Sequence, residues 1–180
     1  MPSSLDSSVG SFVFVRHAEP VVERGSPPEE WELSHEGIGA IAHAAKNLRR
    51  LDLSGLVTSD EVKAQQTARL LGRLLAIEVR VDSRLHEVRR PWIEEDFHQE
   101  VVNYLNGQVT RDWESLDSVG ARMETAIAEA TAGAQVGIVA HGTAMAVVLG
   151  ARGLVGSVSF WEQLTMPDAW LVETATLRRL

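Results

Sequence analysis

The sequence predicts an α/β fold, a three-layer α/β/α sandwich around a mostly parallel sheet, and two observations carry that prediction. Short apolar runs alternate along the chain with segments of helical period, the pattern of a parallel sheet covered on both faces. Two of those runs, Phe12-Val13-Phe14-Val15 and Val136-Gly137-Ile138-Val139-Ala140, lead into Arg16-His17 and His141, at the strand ends where such folds place their chemistry. With 180 residues and 44% hydrophobic content the chain can bury one full core and is too short for two. Residues 1–10 are rich in serine and read as a frayed terminus, leaving 11–180 as a single domain without repeat, linker or low-complexity tract.

The elements follow in order. After the first strand, residues 19–32 with Pro20, Gly25, Pro27 and Pro28 form a loop, and Ser34 caps a helix running to about residue 51. Leu56-Val57-Thr58 is a short strand. Residues 60–76 form a helix with Leu70, Leu71, Leu74 and Leu75 on its apolar side and Ser59 or Asp60 as its cap. Ile77-Glu78-Val79-Arg80-Val81 is the next strand. Residues 94–106 and 118–131 are helices expected to cap the catalytic rim, with Glu94, Glu95 and Asp96 as the acidic first turn of the former. The His141 strand is followed by a helix over 142–150, and Trp170-Leu171-Val172-Glu173-Thr174 with Leu177 closes the sheet as an edge strand or hairpin.

The strand ends carry the chemistry. Arg16-His17 sets a guanidinium, able to grip a phosphoryl group by paired hydrogen bonds, beside an imidazole that is a nucleophile when neutral. The alternative is a strand that merely ends in polar residues at the water boundary. His141 repeats the layout, and Gly142 after it lets the backbone turn and opens a helix whose N-terminus favours an anion. Lys63 adds a cation in the first turns of the 60–76 helix.

Composition narrows the class. The chain has no cysteine, which excludes disulfides, a thiol nucleophile and a thiolate metal site. A formal net charge of −8 argues against a nucleic-acid partner and makes any attraction of phosphate esters local to Arg16, Lys63, Arg89 and Arg90. No run has the length of a membrane span, and no N-terminal segment pairs basic residues with an apolar stretch of signal length, so a cytoplasmic location is the expectation. No carboxylate cluster suits Mg2+, and His35 and His43 stand two helical turns apart, too far for one ion, so neither metal nor cofactor is expected.

Four segments together resemble the histidine phosphatase superfamily, the phosphoglycerate-mutase-like proteins, and specifically its short phosphatase branch. Arg16-His17-Ala18-Glu19 is similar to the family's Arg-His-Gly-Glu, and Leu33-Ser34-His35-Glu36-Gly37 to its Leu-Ser/Thr-x-x-Gly. Ser59-x-x-x-Lys63-Ala64-x-Gln66-Thr67-Ala68 is similar to Ser-x-x-x-Arg-Ala-x-Gln-Thr-Ala, and Val139-Ala140-His141-Gly142 to the second-histidine strand end. The resemblance implies a metal-independent phosphatase acting on a small phosphate monoester. His17 would take the phosphoryl group, Arg16, Lys63, His141 and Gly142 would hold its oxygens, and Glu87, in Leu85-His86-Glu87, would protonate the leaving group. Glu94, Glu95 and Asp96 are fallback acids. Arg24, Arg89 and Trp92 are further candidates for substrate contact, with Trp31 beside Trp92 as an apolar wall, while Trp113, Trp161 and Trp170 read as packing residues.

Three departures from the family pattern stand out. Lys63 replaces an arginine, exchanging a planar fork for a mobile point charge. Glu23 stands where many members carry a phosphate-touching asparagine. Val88-Arg89-Arg90-Pro91-Trp92 replaces a glycine-rich stretch common in mutases, which argues against the alternative of a phosphomutase. The remaining alternative, a non-catalytic phosphoester-binding protein, is favoured by Lys63 with Glu23 and opposed by the two histidines and Glu87.

Overall fold

The computed structural model describes residues 10–108 and 112–180. The expected frayed terminus at 1–10 lies outside them except for Gly10. Strand β1 (Phe12–Arg16) forms because its side chains alternate between two apolar faces. Phe12 and Phe14 enter one core cluster, Val13 and Val15 the other, and all four are fully buried.

With β2 (Leu56–Thr58), β3 (Val79–Val81), β4 (Gly137–Ala140), β5 (Asp168–Val172) and β6 (Leu177–Arg179), β1 builds one sheet in the order β3-β2-β4-β1-β5-β6. The first four strands in sequence run parallel, whereas β5 is antiparallel to β1 and turns back into β6. The closing hairpin starts two residues earlier than the apolar pattern suggests. Asp168 begins β5 because its carboxylate is held by the Arg179 guanidinium and by the N–H groups of Thr165 and Ala169.

Helices α1 (His35–Leu48) and α2 (Val62–Leu75) cover the Val13 face through Ile41, Ala44, Leu48, Ala64, Ala68 and Leu71. The opposite face is covered by α3 (Phe97–Leu105), α4 (Leu116–Ala130), α5 (Gly142–Ala151) and α6 (Ser157–Gln163). The three layers are those expected. Helix α5 is buried from Gly142 to Leu149 and packs between the sheet and its neighbours, as an all-round apolar helix must.

Some expectations are corrected. Helix α4 packs along α5 within the layer, so it does not form a cap over the rim; Val119, Met123 and Ile127 bury into the same cluster as Phe14 and Ile138. Residues Glu94, Glu95 and Asp96 are not a helical first turn. Asp96 has a left-handed φ of 54°, which breaks the helical path, and α3 starts only at Phe97. Neither Ser59 nor Asp60 caps α2. Glu61 holds that position, and its own carboxylate makes no cap bond because it faces the strand ends. Ser34 does cap α1, accepting the Gly37 N–H at 2.9 Å. Helix α6, with Phe160 its one buried residue, has no clear periodic signal in its seven residues.

Candidate active site

Adjacent strands β2, β4 and β1 end side by side, and the chain just past them supplies Ser59, His141 and His17. The register continues beyond the strands, with Ser59 N donating to Val139 O and His17 N to Ala140 O, both at 3.1 Å. The two imidazoles therefore meet at the rim with ring centroids 5.1 Å apart and planes inclined at 57°.

His17 is 6% exposed, and its Nδ1 lies 2.8 Å from Ala18 O. A carbonyl only accepts, so Nδ1 carries the hydrogen and Nε2 keeps the free lone pair. Burial pushes the His17 pKa well below its ordinary value, with His141, Lys63 and Arg16 pushing the same way and the Ala18 carbonyl opposing them. His141 is fully buried, which lowers its pKa to about 3 despite the opposing charge of Glu87. Both rings are neutral at neutral pH.

The loop carrying His17 is clamped from both sides. Thr67 Oγ1 accepts the Ala18 N–H at 3.0 Å and donates to Lys63 O at 2.8 Å, while Gln66 Oε1 accepts the Leu33 N–H at 2.8 Å. A Cβ at position 37 would stand 2.3 Å from Glu19 O, so only glycine lets α1 pack its first turn against this loop. Ser34 N and Oγ complete the contact, on Glu19 O and Oε2. Three of the four motif segments thus interlock around one backbone turn.

Arg16 leans across the rim. Its Nη1 donates to Leu164 O at 3.2 Å, and Gly142 lies so close that an added Cβ would be 3.1 Å from Arg16 Nε. Burial lowers the Arg16 pKa, offset by the charges of Glu87 and Asp168. Among the described residues, Arg16 Nε and His141 Nδ1 are buried polar atoms without a hydrogen-bond partner. Lys63 is buried and engaged: Nζ pairs with the Glu61 carboxylate and donates to Pro28 O at 2.7 Å.

Glu87 caps α5. Its Oε1 accepts from Ala144 N at 2.8 Å and Val88 N at 2.9 Å, and its Oε2 accepts from Thr143 N at 3.1 Å. The carboxyl thus sits at the positive end of the helix that follows His141. Its backbone is held as well. Arg122, on α4, donates to the carbonyls of Arg84, His86 and Glu87, and both its Nε and Nη2 grip the Glu114 carboxylate. Burial alone would raise the Glu114 pKa, but this guanidinium brings it down to about 2.

The remaining candidates lie farther out. Arg24 is exposed; Arg89 is exposed too, with its backbone tied to Glu114, whereas Arg90 is partly buried and its charge interacts with Glu87 and Glu61. The Arg90 guanidinium stacks 4.6 Å over the Phe97 ring. Trp92 meets Trp31 edge to face at 5.8 Å, which joins the two loops on that side. Glu23 is exposed, with its carboxylate near the Ser26 hydroxyl. His86 donates Nδ1–H to Glu87 O, and His98 bonds Glu162. Glu94, Glu95 and Asp96 are exposed, as are His35 and His43. Trp113 packs on Tyr104 and Trp170 on Phe160, in the core cluster that Trp161 flanks.

Glu61, Glu114 and Arg122 are the site residues that sequence reasoning missed. No group of His, Asp and Glu among the described residues is arranged to hold a metal ion, and no helix of theirs is long and apolar enough to cross a membrane.

Known proteins share this arrangement of chain. The family model of the histidine phosphatase superfamily, branch 1, matches residues 12–174. The chain is 24% identical to the probable phosphoglycerate mutase GpmB of Yersinia pestis, with 89% of this chain and 90% of that protein aligned. A mycobacterial glucosyl-3-phosphoglycerate phosphatase superposes with a TM-score of 0.69 at 24% identity, covering 94% of this chain and 96% of that one. The protein YhfR of Bacillus stearothermophilus superposes with a TM-score of 0.71 at 19% identity, covering 94% and 95%. The fold is thus phosphoglycerate-mutase-like, and the company it keeps is of phosphatases and mutases. With the match running from β1 to just past β5, this chain belongs to the histidine phosphatase superfamily, branch 1.

Proposed function

We propose that this chain is a metal-independent phosphatase that hydrolyses a small phosphate monoester through a phosphohistidine at His17. The observation that carries the reading is the His17 Nδ1–H bond to Ala18 O, which leaves a neutral ring with its Nε2 lone pair free beside Arg16 and His141. In the first step that lone pair attacks phosphorus in line, the bond to the ester oxygen breaks, and the Glu87 carboxyl gives its proton to the leaving oxygen. In the second step water attacks the phosphohistidine, its proton goes to the Glu87 carboxylate, and the P–N bond breaks to release phosphate and neutral His17.

Charge on the transferring oxygens is met by Arg16, Lys63 and His141 together with the N-terminus of α5. The unpartnered Arg16 Nε and His141 Nδ1 support that assignment. Ser59 Oγ accepts the Glu61 N–H at 3.1 Å, and by donating its hydroxyl hydrogen to His141 Nε2, 2.8 Å away, it leaves the ring proton on Nδ1 as a donor. Trp31 and Trp92 would wall the leaving group.

The test is phosphate release across phosphorylated sugars, glycerates, nucleotides and peptides by the wild type and His17→Ala. The expected result is hydrolysis of at least one small monoester by the wild type and none by the variant. Phosphoryl interconversion between positions of one substrate without net release would replace this reading with a mutase.

A further inference from the structure

Glu61 presents a problem to a site that binds phosphate. Its carboxylate, 10% exposed, stands among the groups assigned to the oxyanion. Its Oε2 pairs with Lys63 Nζ, its Oε1 accepts the Glu87 N–H at 2.7 Å, and the same Oε1 lies 3.5 Å from His141 Nε2. Arg90 adds its charge from the loop after Glu87. A buried anion paired with the phosphate cation, bonded to the backbone N–H of the acid and set beside the second histidine is more than a helix start. It cancels the positive charge of Lys63 where an incoming phosphoryl group would use it.

We propose that Glu61 is a positioning and charge-setting residue: it fixes the Glu87 backbone, and it limits how tightly the pocket holds a dianionic phosphoryl group. This rests on the phosphatase reading above. Phosphate is a product of that reaction, and a pocket with both cations free would retain it. With Lys63 paired to Glu61, Arg16 is the guanidinium left to the oxyanion, and release of phosphate is correspondingly easier. The arrangement also gives the lysine a reason, since one ammonium can keep Glu61 and Pro28 O as partners and still swing its third hydrogen toward a ligand.

The experiment measures inhibition by inorganic phosphate and by vanadate for the wild type, Glu61→Gln, Lys63→Ala and the double variant, with thermal unfolding as the control of folding. The amide of Glu61→Gln still accepts the Glu87 N–H but frees the lysine charge, so both oxyanions should bind about 10-fold tighter or more, with kcat lowered by slow product release. Lys63→Ala leaves Glu61 facing the ligand and should bind both at least 10-fold more weakly, and the double variant should recover most of that loss. A purely structural Glu61 gives the opposite sign. Unchanged or weaker oxyanion binding in folded Glu61→Gln would overturn the proposal, and so would a double variant no better than Lys63→Ala, a comparison that stands even if Glu61→Gln alone does not fold. Absence of both turnover and oxyanion binding in the wild type would instead overturn the phosphatase reading.

Discussion

Arg122 on α4 reaches the loop before the sheet's rim and donates to the carbonyl oxygen of His86 at 2.8 Å. Three carbonyls in that loop converge on the one guanidinium, which fixes the path of the backbone into Glu87. The acid of the proposed mechanism is therefore positioned by a residue on α4, while the neutrality of the two histidines is set chiefly by their own burial.

The first prediction concerns Arg122→Ala. The side chain is 13% exposed and its Glu114 partner 12%, so removal strands a buried carboxylate and three carbonyls. The expected loss is about 3–5 kcal/mol in chemical denaturation, with kcat reduced in whatever remains folded. Arg122→Lys restores the charge without the fork and should recover less than half of the lost stability. A stability within 1 kcal/mol of wild type, on the order of an exposed ion pair, would show that the buttress is ornamental.

A second prediction follows from the environment of His17 and His141. Both pKa values are lowered in the folded chain, so between 6.5 and the folded values the unfolded chain binds more protons than the native one. Stability is complete above pH 6.5 and falls as pH drops through that window, by up to about 1.4 kcal/mol per pH unit for each histidine. Denaturation midpoints at pH 7.5, 6.0 and 5.0 check this, with His141→Asn expected to show a shallower slope. The same neutrality places the acid limb of kcat/KM below 6.5. A limb centred above 7 that disappears when His17 or His141 is replaced would contradict neutral rings at these two positions.

The third prediction isolates the acid. Glu87→Gln keeps an oxygen for the α5 N–H groups but removes the transferable proton. Hydrolysis of alkyl phosphates should fall by roughly 10²–10⁴-fold, whereas aryl phosphates, which leave without protonation, should lose much less. Equal losses for both substrate types would move the acid elsewhere, though Glu94, Glu95 and Asp96 are exposed on a loop.

Much of the fold and of the site was legible from residue order alone. Period-two alternation in Phe12–Arg16 and the histidines directly after two apolar runs give the sheet and its reactive rim, because strand ends are local features. Gly37 and Thr67 were legible only as motif letters, and their reason, a backbone approach to Glu19 and a bond to Ala18 N, needed the packed loops. Glu61 and Arg122 were invisible because each acts on backbone atoms of a segment remote in sequence, which no spacing encodes. The placement of α4 required the strand order, and the start of α3 turned on one left-handed residue, Asp96.

The central claim, that His17 Nε2 takes the phosphoryl group, is tested most directly by trapping. The enzyme is incubated with a radiolabelled substrate identified by the phosphate-release screen, quenched in alkali and digested for peptide mapping. The expected result is stoichiometric, acid-labile, base-stable label on the peptide containing His17 that turns over in water, and none in folded His17→Ala. Label on His141, or full turnover in the His17→Ala variant, would contradict it.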